Sequence, residues 1–277
     1  FAAEEFSKLV LVAFVVTAFL LCSSLVAQNT EPAYAGINFE HGTWTEAVNK
    51  ARNENKLLML DAYTSWCGPC KWMSKNIFPM QEVGEFYNKN FISIKIDMEK
   101  GEGIELAKRY NIQNYPIFLF VDGYGKMVHR VCGSMEAASF IKAGKSALSP
   151  DHSLSTLQKK FEDPGSRSDY AMLYFSASSE ACLDAEKDVM KFLEAKKNSS
   201  LTDKGNYGLL MEFIKDPNHS SFKYLLINYK DFTALYPKEE VDQKIKQVFS
   251  AALKKAIYSK DDKQVPSVQA AYRAESN

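Results

Sequence analysis

The chain has 277 residues, and its 34 lysines and arginines balance 34 aspartates and glutamates, so the formal net charge is zero. That balance excludes the broad basic surface on which nucleic acid or an anionic membrane binds. A hydrophobic share of 46% is enough to core one or two domains.

Residues 9–21 run apolar apart from Thr17, behind Lys8 and ahead of Cys22-Ser23-Ser24-Leu25-Val26-Ala27-Gln28. A short apolar core that ends on a small residue before a polar one reads as a secretory signal cleaved after Ala27. Glu4 and Glu5 dilute its basic leader. An uncleaved membrane anchor is the competing reading, because residues 9–26 are just long enough to span. Leu21 ahead of Cys22 disfavours lipidation, and the lack of a polar face disfavours a buried helix. Signal, anchor and lipid each place the chain after Gln28 outside the cytoplasm, in the periplasm or on the extracytoplasmic membrane face. The expected organisation is a signal or anchor over 1–27, a polar tail over 28–35, a first domain over 36–149 and a helical domain over 150–277.

Thr43-Trp44-Thr45-Glu46 matches the capping-box pattern and predicts a helix whose apolar face carries Ala47, Val48 and Ala51. Leu57 to Tyr63 is apolar at nearly every position, as in a strand covered on both faces. Trp66-Cys67-Gly68-Pro69-Cys70-Lys71 follows, and behind it a helical stretch that Phe78-Pro79 interrupts. The spacing places Cys67 at a helix N-terminus, where free N–H groups and the helix dipole favour a thiolate. Pro69 suits the first turn, since its missing N–H would be unpaired there. Cys70, one turn on, can attack a mixed disulfide at Cys67 and release the reduced product. Zinc would need a second ligand pair, and His41, His129, His152 and His219 are scattered; attached haem would need His where Lys71 stands. A dithiol redox site is the expectation, with no metal and no cofactor beyond the Cys67–Cys70 couple.

A second helix is predicted from Gln81 to about Asn88, a strand over Phe91–Asp97, and a short helix over Gly103–Tyr110 with Ile104, Leu106 and Ala107 facing inward. Tyr115-Pro116 opens a third buried strand through Val121. Asp122-Gly123-Tyr124-Gly125 turns the chain back through Lys126 to Cys132. Gly133 ends that strand, and Met135 to Leu148 closes a β-α-β-α-β-β-α unit. With Cys22 in the leader, four cysteines are too few for a disulfide-stapled scaffold. Cys132 and Cys182 are expected as small buried hydrophobes, with a Cys132–Cys182 bridge as the weaker alternative.

Over roughly residues 36–148 the chain resembles the thioredoxin family, on Trp66 to Lys71, Asp61 six positions before Cys67, Pro116 heading a strand, and Gly133. Asp61-Ala62-Tyr63 through Lys71, Phe78-Pro79 and the continuation to Asp97 are similar to the periplasmic reducing domain of the DsbD-type disulfide reductase and its soluble relatives. The resemblance implies an α/β thioredoxin fold, a central mixed sheet flanked by helices, ahead of an all-α C-terminal domain. It implies that Cys67 attacks and Cys70 resolves. Pro116 would be a cis proline, with the Tyr115 backbone beside Cys67 pairing an extended peptide, an ordinary strand-edge proline being the alternative. Asp61 would be a partly buried acid with a raised pKa that accepts a proton from Cys70, a strand-end surface aspartate being the alternative. Trp66 would shield the site and, with Gly68 and Pro69, touch substrate; simple core packing is the alternative for Trp66. The family's lysine beside the buried aspartate falls at Ser93 in this reading, with Lys95 two residues later.

Beyond Ser149-Pro150-Asp151 and Asp163-Pro164-Gly165-Ser166, which read as linkers, the pattern turns helical. About five helices are expected: one marked by Tyr170, Leu173 and Tyr174, one by Cys182, Val189, Phe192 and Leu193, and one by Leu209, Leu210, Phe213 and Ile214. Phe222 to Tyr236 follows, then a last helix with Val241, Ile245, Val248, Phe249, Ala252 and Leu253 on one face. These could stack as antiparallel pairs. The tail from Lys260 reads as frayed.

The leading functional expectation is an exported thiol–disulfide oxidoreductase that reduces protein or peptide disulfides, recharged by a membrane-bound electron donor. The alternative is a binding or chaperone-like envelope protein whose helical half grips a partner. A peroxidase is a weaker third reading.

Overall fold

The computed structural model describes residues 36–165, 167–196 and 200–258. The expected signal or anchor, the polar tail and the frayed C-terminus lie outside them. Among the described residues no helix is long and apolar enough to cross a membrane.

Five strands form one mixed sheet in the order β1-β3-β2-β4-β5: β1 (Phe39–Glu40), β2 (Leu57–Tyr63), β3 (Phe91–Asp97), β4 (Ile117–Val121) and β5 (Met127–Cys132). β1, β3 and β2 run parallel, and β4 and β5 add antiparallel. The expected order holds from β2 onward. β1 is an addition: two residues with no pattern of their own, made a strand by pairing with Ser93 and Ile94.

Alternation along β2 sends Leu58, Leu60 and Ala62 to one face and Met59 and Asp61 to the other. On the first face α1 (Trp44–Asn53) lays down Trp44, Ala47, Val48 and Ala51, and α4 (Gly103–Arg109) adds Leu106. The capping box is complete: the Thr43 side chain accepts from the Glu46 N–H, and Glu46 Oε2 accepts from the Thr43 N–H at 2.7 Å. Ile104, expected inward, is 43% exposed. A Cβ on Gly103 would lie 2.1 Å from the Asp97 carbonyl oxygen, so α4 presses its glycine against the end of β3 and turns Ile104 outward.

The opposite face holds α2 (Gly68–Asn76), α3 (Gln81–Asn90) and α5 (Ala137–Leu148). Its core is Met59, Met73, Phe78, Val83, Phe118 and Phe120 around a Tyr87–Phe140 ring stack with centroids 4.3 Å apart. The buried Tyr87 hydroxyl donates to the Phe140 carbonyl at 2.8 Å. Asp122 Oδ1 accepts from the N–H groups of Tyr124 and Lys126, which closes the β4–β5 turn as expected.

The helical half follows as α6 (Leu154–Glu162), α7 (Arg167–Glu180), α8 (Glu186–Glu194), α9 (Lys204–Phe213), α10 (Ser220–Ile227), α11 (Tyr229–Leu235) and α12 (Lys238–Tyr258). Two differences from expectation matter. α6 occupies the stretch between the two expected linkers, started by the Ser153 side chain, which accepts from the Thr156 N–H. Phe222 to Tyr236 breaks at Asn228 into α10 and α11. This half has its own core, including Phe175, Val189, Phe213, Phe222, Phe232, Val241 and Val248. Leu173 is 46% exposed, because Ala171 and Phe175 carry the buried stripe of α7.

β5 is an edge strand, whose unpaired backbone groups would otherwise invite association. α6 packs along it and α7 touches it. The Leu154 N–H donates to Nδ1 of the buried His129 on β5 at 3.1 Å. Burial pushes the His129 imidazole down to about pKa 4, so the ring stays neutral and able to accept. Cys132 on β5 is bonded to Cys182 between α7 and α8. Cys182 is therefore neither a buried hydrophobe nor part of a helix: it is exposed, with φ 51°.

Replacing Tyr87 with Phe removes one buried hydrogen bond and keeps the ring stack, so it should cost about 1 kcal/mol. Phe140→Ala, which empties the centre of the cluster, should cost about 3–5 kcal/mol. Urea denaturation of the oxidised protein reads both, and an unchanged midpoint for Phe140→Ala would contradict this core.

Candidate functional site

Cys67 stands just before α2 with extended backbone, φ −64° and ψ 109°, and is its N-cap. Its Sγ accepts the Cys70 N–H at 3.0 Å, one of the orphan donors of the first turn. The two cysteines form a disulfide with Cα atoms 5.3 Å apart. Pro69 lies in the first turn, where no N–H is missed. Both sulfur-bearing residues are nearly covered, whereas Gly68 and Pro69 are exposed. A Cβ on Gly68 would meet nothing within 4 Å, so the surface in front of the pair is open.

Trp66 is 64% exposed, which rules out core packing for it. Its indole Nε1 donates to both carboxylate oxygens of Glu99 at 3.0 Å, and its ring meets that of Tyr115 edge-on, centroids 6.1 Å apart. The Tyr115–Pro116 peptide bond is cis. The Pro116 carbonyl accepts from the Gly133 N–H at 2.9 Å, tying β4 to the end of β5. Trp66, Tyr115 and Pro116 thus come together on the cysteine side of the sheet.

Asp61 lies behind them on the face that α2 covers, and it is 1% exposed. A strand-end surface position is excluded. Burial raises its carboxyl to about pKa 6, and the charge of Lys95 holds the rise back. Lys95, not Ser93, is its partner, at 3.2 Å from Nζ to Oδ2. The parallel register explains the correction: Asp61 pairs with Lys95, whereas Ser93 pairs with Met59 and is buried. Lys95 also donates to the Ser74 hydroxyl and lies over the rings of Phe39, Tyr63 and Phe78. With Cys70, Thr64, Lys71 and Lys75 it lines a cavity of about 420 Å³, so the group that faces Asp61 also faces the space beside Cys70.

One residue of this site went unnoticed in the sequence, and a second was seen but not placed. Glu99 has no motif, and only the fold brings it to Trp66 from beyond β3. Lys95 was visible, but its place opposite Asp61 depends on the pairing of two parallel strands. Among the described residues no cluster of metal-ligating side chains occurs.

Residues 44–148 match the family profile of the thioredoxin-like domain. Thioredoxin-1 of Drosophila melanogaster is 37% identical over 68 residues, covering 24% of this chain and 59% of that protein. The thiol:disulfide interchange protein DsbD of Pseudomonas fluorescens is 28% identical over 99 residues, 35% of this chain and 17% of that protein. The chain thus spans less than two thirds of the length of these curated relatives. The solution structure of a candidate disulphide-isomerase from Bacteroides thetaiotaomicron is 40% identical and covers 45% of this chain and 98% of that one, with a TM-score of 0.39.

The raised Asp61 pKa carries a pH signature. The folded chain keeps this proton up to about pH 6, whereas an unfolded aspartate releases it near 3.8. Folding therefore takes up a proton between those values, and the stability this confers is lost as pH rises through 6. Asp61→Asn should match the wild type near pH 3.5 and exceed it by about 3 kcal/mol above pH 7 in urea denaturation of the oxidised protein. A pH-independent difference would contradict the assignment.

Proposed function

Because residues 44–148 belong to the thioredoxin-like domain family, we propose that this chain is a thiol–disulfide oxidoreductase that reduces protein disulfides through Cys67 and Cys70. The observation that carries the reading is the hydrogen bond from the Cys70 N–H to Cys67 Sγ at the start of α2. In the dithiol form the same donor and the same helix end would hold a thiolate at Cys67.

The steps follow from the positions. The Cys67 thiolate attacks a client disulfide, forms a mixed disulfide and expels one client thiolate. Cys70 loses its proton, attacks Cys67 Sγ, releases the second client thiolate and leaves the Cys67–Cys70 bond seen here. Two electrons pass to the client. Asp61, still partly protonated near pH 6, exchanges the Cys70 proton across the cavity that Lys95 shares with Cys70. Trp66, Gly68 and Pro69 offer exposed contact surface, and the backbone at Tyr115-Pro116 offers an edge for an extended client segment.

The Gly-Pro dipeptide supports a reducing role, by analogy with thioredoxin's potential of about −270 mV against about −120 mV for the oxidase DsbA. The apolar segment at residues 9–21 supports export. In an oxidising compartment such a reductant needs electrons from a membrane-bound donor, and the similarity to a thiol:disulfide interchange protein supports a redox partner. A second reading, in which the helical half holds a partner and turnover is secondary, is favoured by Ile227 and Leu235, exposed at 80% and 63%.

Insulin reduction separates the two. Cys67→Ser should fall to the uncatalysed rate, and Cys70→Ser should accumulate mixed disulfides with its clients. Full activity in Cys67→Ser would overturn the oxidoreductase reading.

A further inference from the structure

The function above leaves the Cys132–Cys182 disulfide without a part to play. Its place in the sheet is informative. Ala62 pairs with Ile117, and Ile117 pairs with Cys132, so the ends of β2, β4 and β5 form one row across the sheet. Neighbouring strands lie about 4.8 Å apart, which puts Cys132 roughly 10 Å from Ala62. Cys67 follows β2 by four residues. Both disulfides therefore sit at the same end of the sheet. Gly133, next to Cys132, donates to the Pro116 carbonyl on the strand proposed to meet clients.

The two ends of the second bond are unlike. Cys182 is exposed and held at φ 51°, a left-handed backbone that a cysteine adopts rarely and that persists only under constraint. Cys132 is half-buried and lines a cavity of about 240 Å³ with His129, Met135, Lys142 and Glu180. The bond spans 50 residues and ties the α7–α8 loop to the edge strand. A purely structural staple is usually shielded, whereas exposure and strain mark bonds that exchange.

We propose that Cys132–Cys182 is a second thiol–disulfide exchange site, opened by a dithiol, whose opening unlatches the α7–α8 loop from the rim of the client groove. A thiolate of the dithiol attacks Sγ of the exposed Cys182, and Cys132 leaves as a thiolate into the cavity that Lys142 also lines. The second thiol of the donor then attacks the mixed disulfide and frees Cys182. The chain gains two electrons and two protons, and the dithiol becomes a disulfide. The backbone at Cys182 can then relax, while the Leu154–His129 hydrogen bond keeps α6 on β5. The helical half would thereby set access to the groove according to the redox state of this bond.

The test uses the full chain in its oxidised form, dithiothreitol without denaturant as the probe, and thiol alkylation with peptide mapping as the readout. The expected result is that Cys132 and Cys182 are protected before reduction and both alkylated after it, alongside Cys67 and Cys70. Limited proteolysis should then cut within residues 181–185 faster, as it should in Cys182→Ser without reductant. Alkylation of Cys132 and Cys182 before reduction would overturn the proposal, as would protection that yields only when urea is added. Cysteine labelling reads this bond directly, so the outcome stands apart from whether Cys67 reduces insulin.

Discussion

The site depends on one constraint: the sulfur of Cys67 closes the first turn of α2. An N-cap is normally a hydroxyl, amide or carboxylate that accepts an orphan N–H. Here the acceptor is Sγ, and the donor is the amide of the other cysteine. The geometry that starts the helix is thus also the geometry that favours charge on the Cys67 sulfur. Pro69 sharpens it by fixing φ in that turn without removing a donor the helix needs. β2 carries the turn to the end of the sheet, the cluster of Met73, Phe78 and Phe118 holds α2 against it, and the exposed Gly68 and Pro69 leave the front open.

Behind this lies a buried charge pair with unequal surroundings. Asp61 is fully enclosed, whereas Lys95, with a partly exposed side chain, lines the cavity beside Cys70. Dehydration disfavours the carboxylate and the lysine only partly offsets it, which leaves a carboxyl able to exchange protons near pH 6. On the far side of the sheet the constraint is different. β5 would be a bare edge, and α6, α7 and the Cys132–Cys182 bond cover it. The helical half, cored separately around Phe175, Phe213 and Phe232, is thereby attached beside the Gly133–Pro116 hydrogen bond, at the edge proposed to meet clients.

Much of this was legible because some signals are local. The capping box at Thr43, the break at Phe78-Pro79, the turn at Asp122 and the spacing of Cys67 and Cys70 each encode their geometry within a few residues. What escaped was set by distant pairing. β1 exists only because β3 lies beside it. Lys95 faces Asp61 through a parallel register that no motif records. Ile104 turned outward because a glycine next to it pressed the helix onto a backbone carbonyl. Cys132 and Cys182 read as buried hydrophobes because nothing in sequence says that a loop fifty residues on returns to the end of β5.

The account is tested most directly by the ionisation of Cys67 in the reduced protein, followed as the pH dependence of its alkylation rate with Cys70→Ser as the reference. It predicts a thiol that titrates well below the ordinary cysteine value of about 8.5. A Cys67 that ionises at or above that value would contradict it, because the helix end would then confer no advantage on the sulfur it holds.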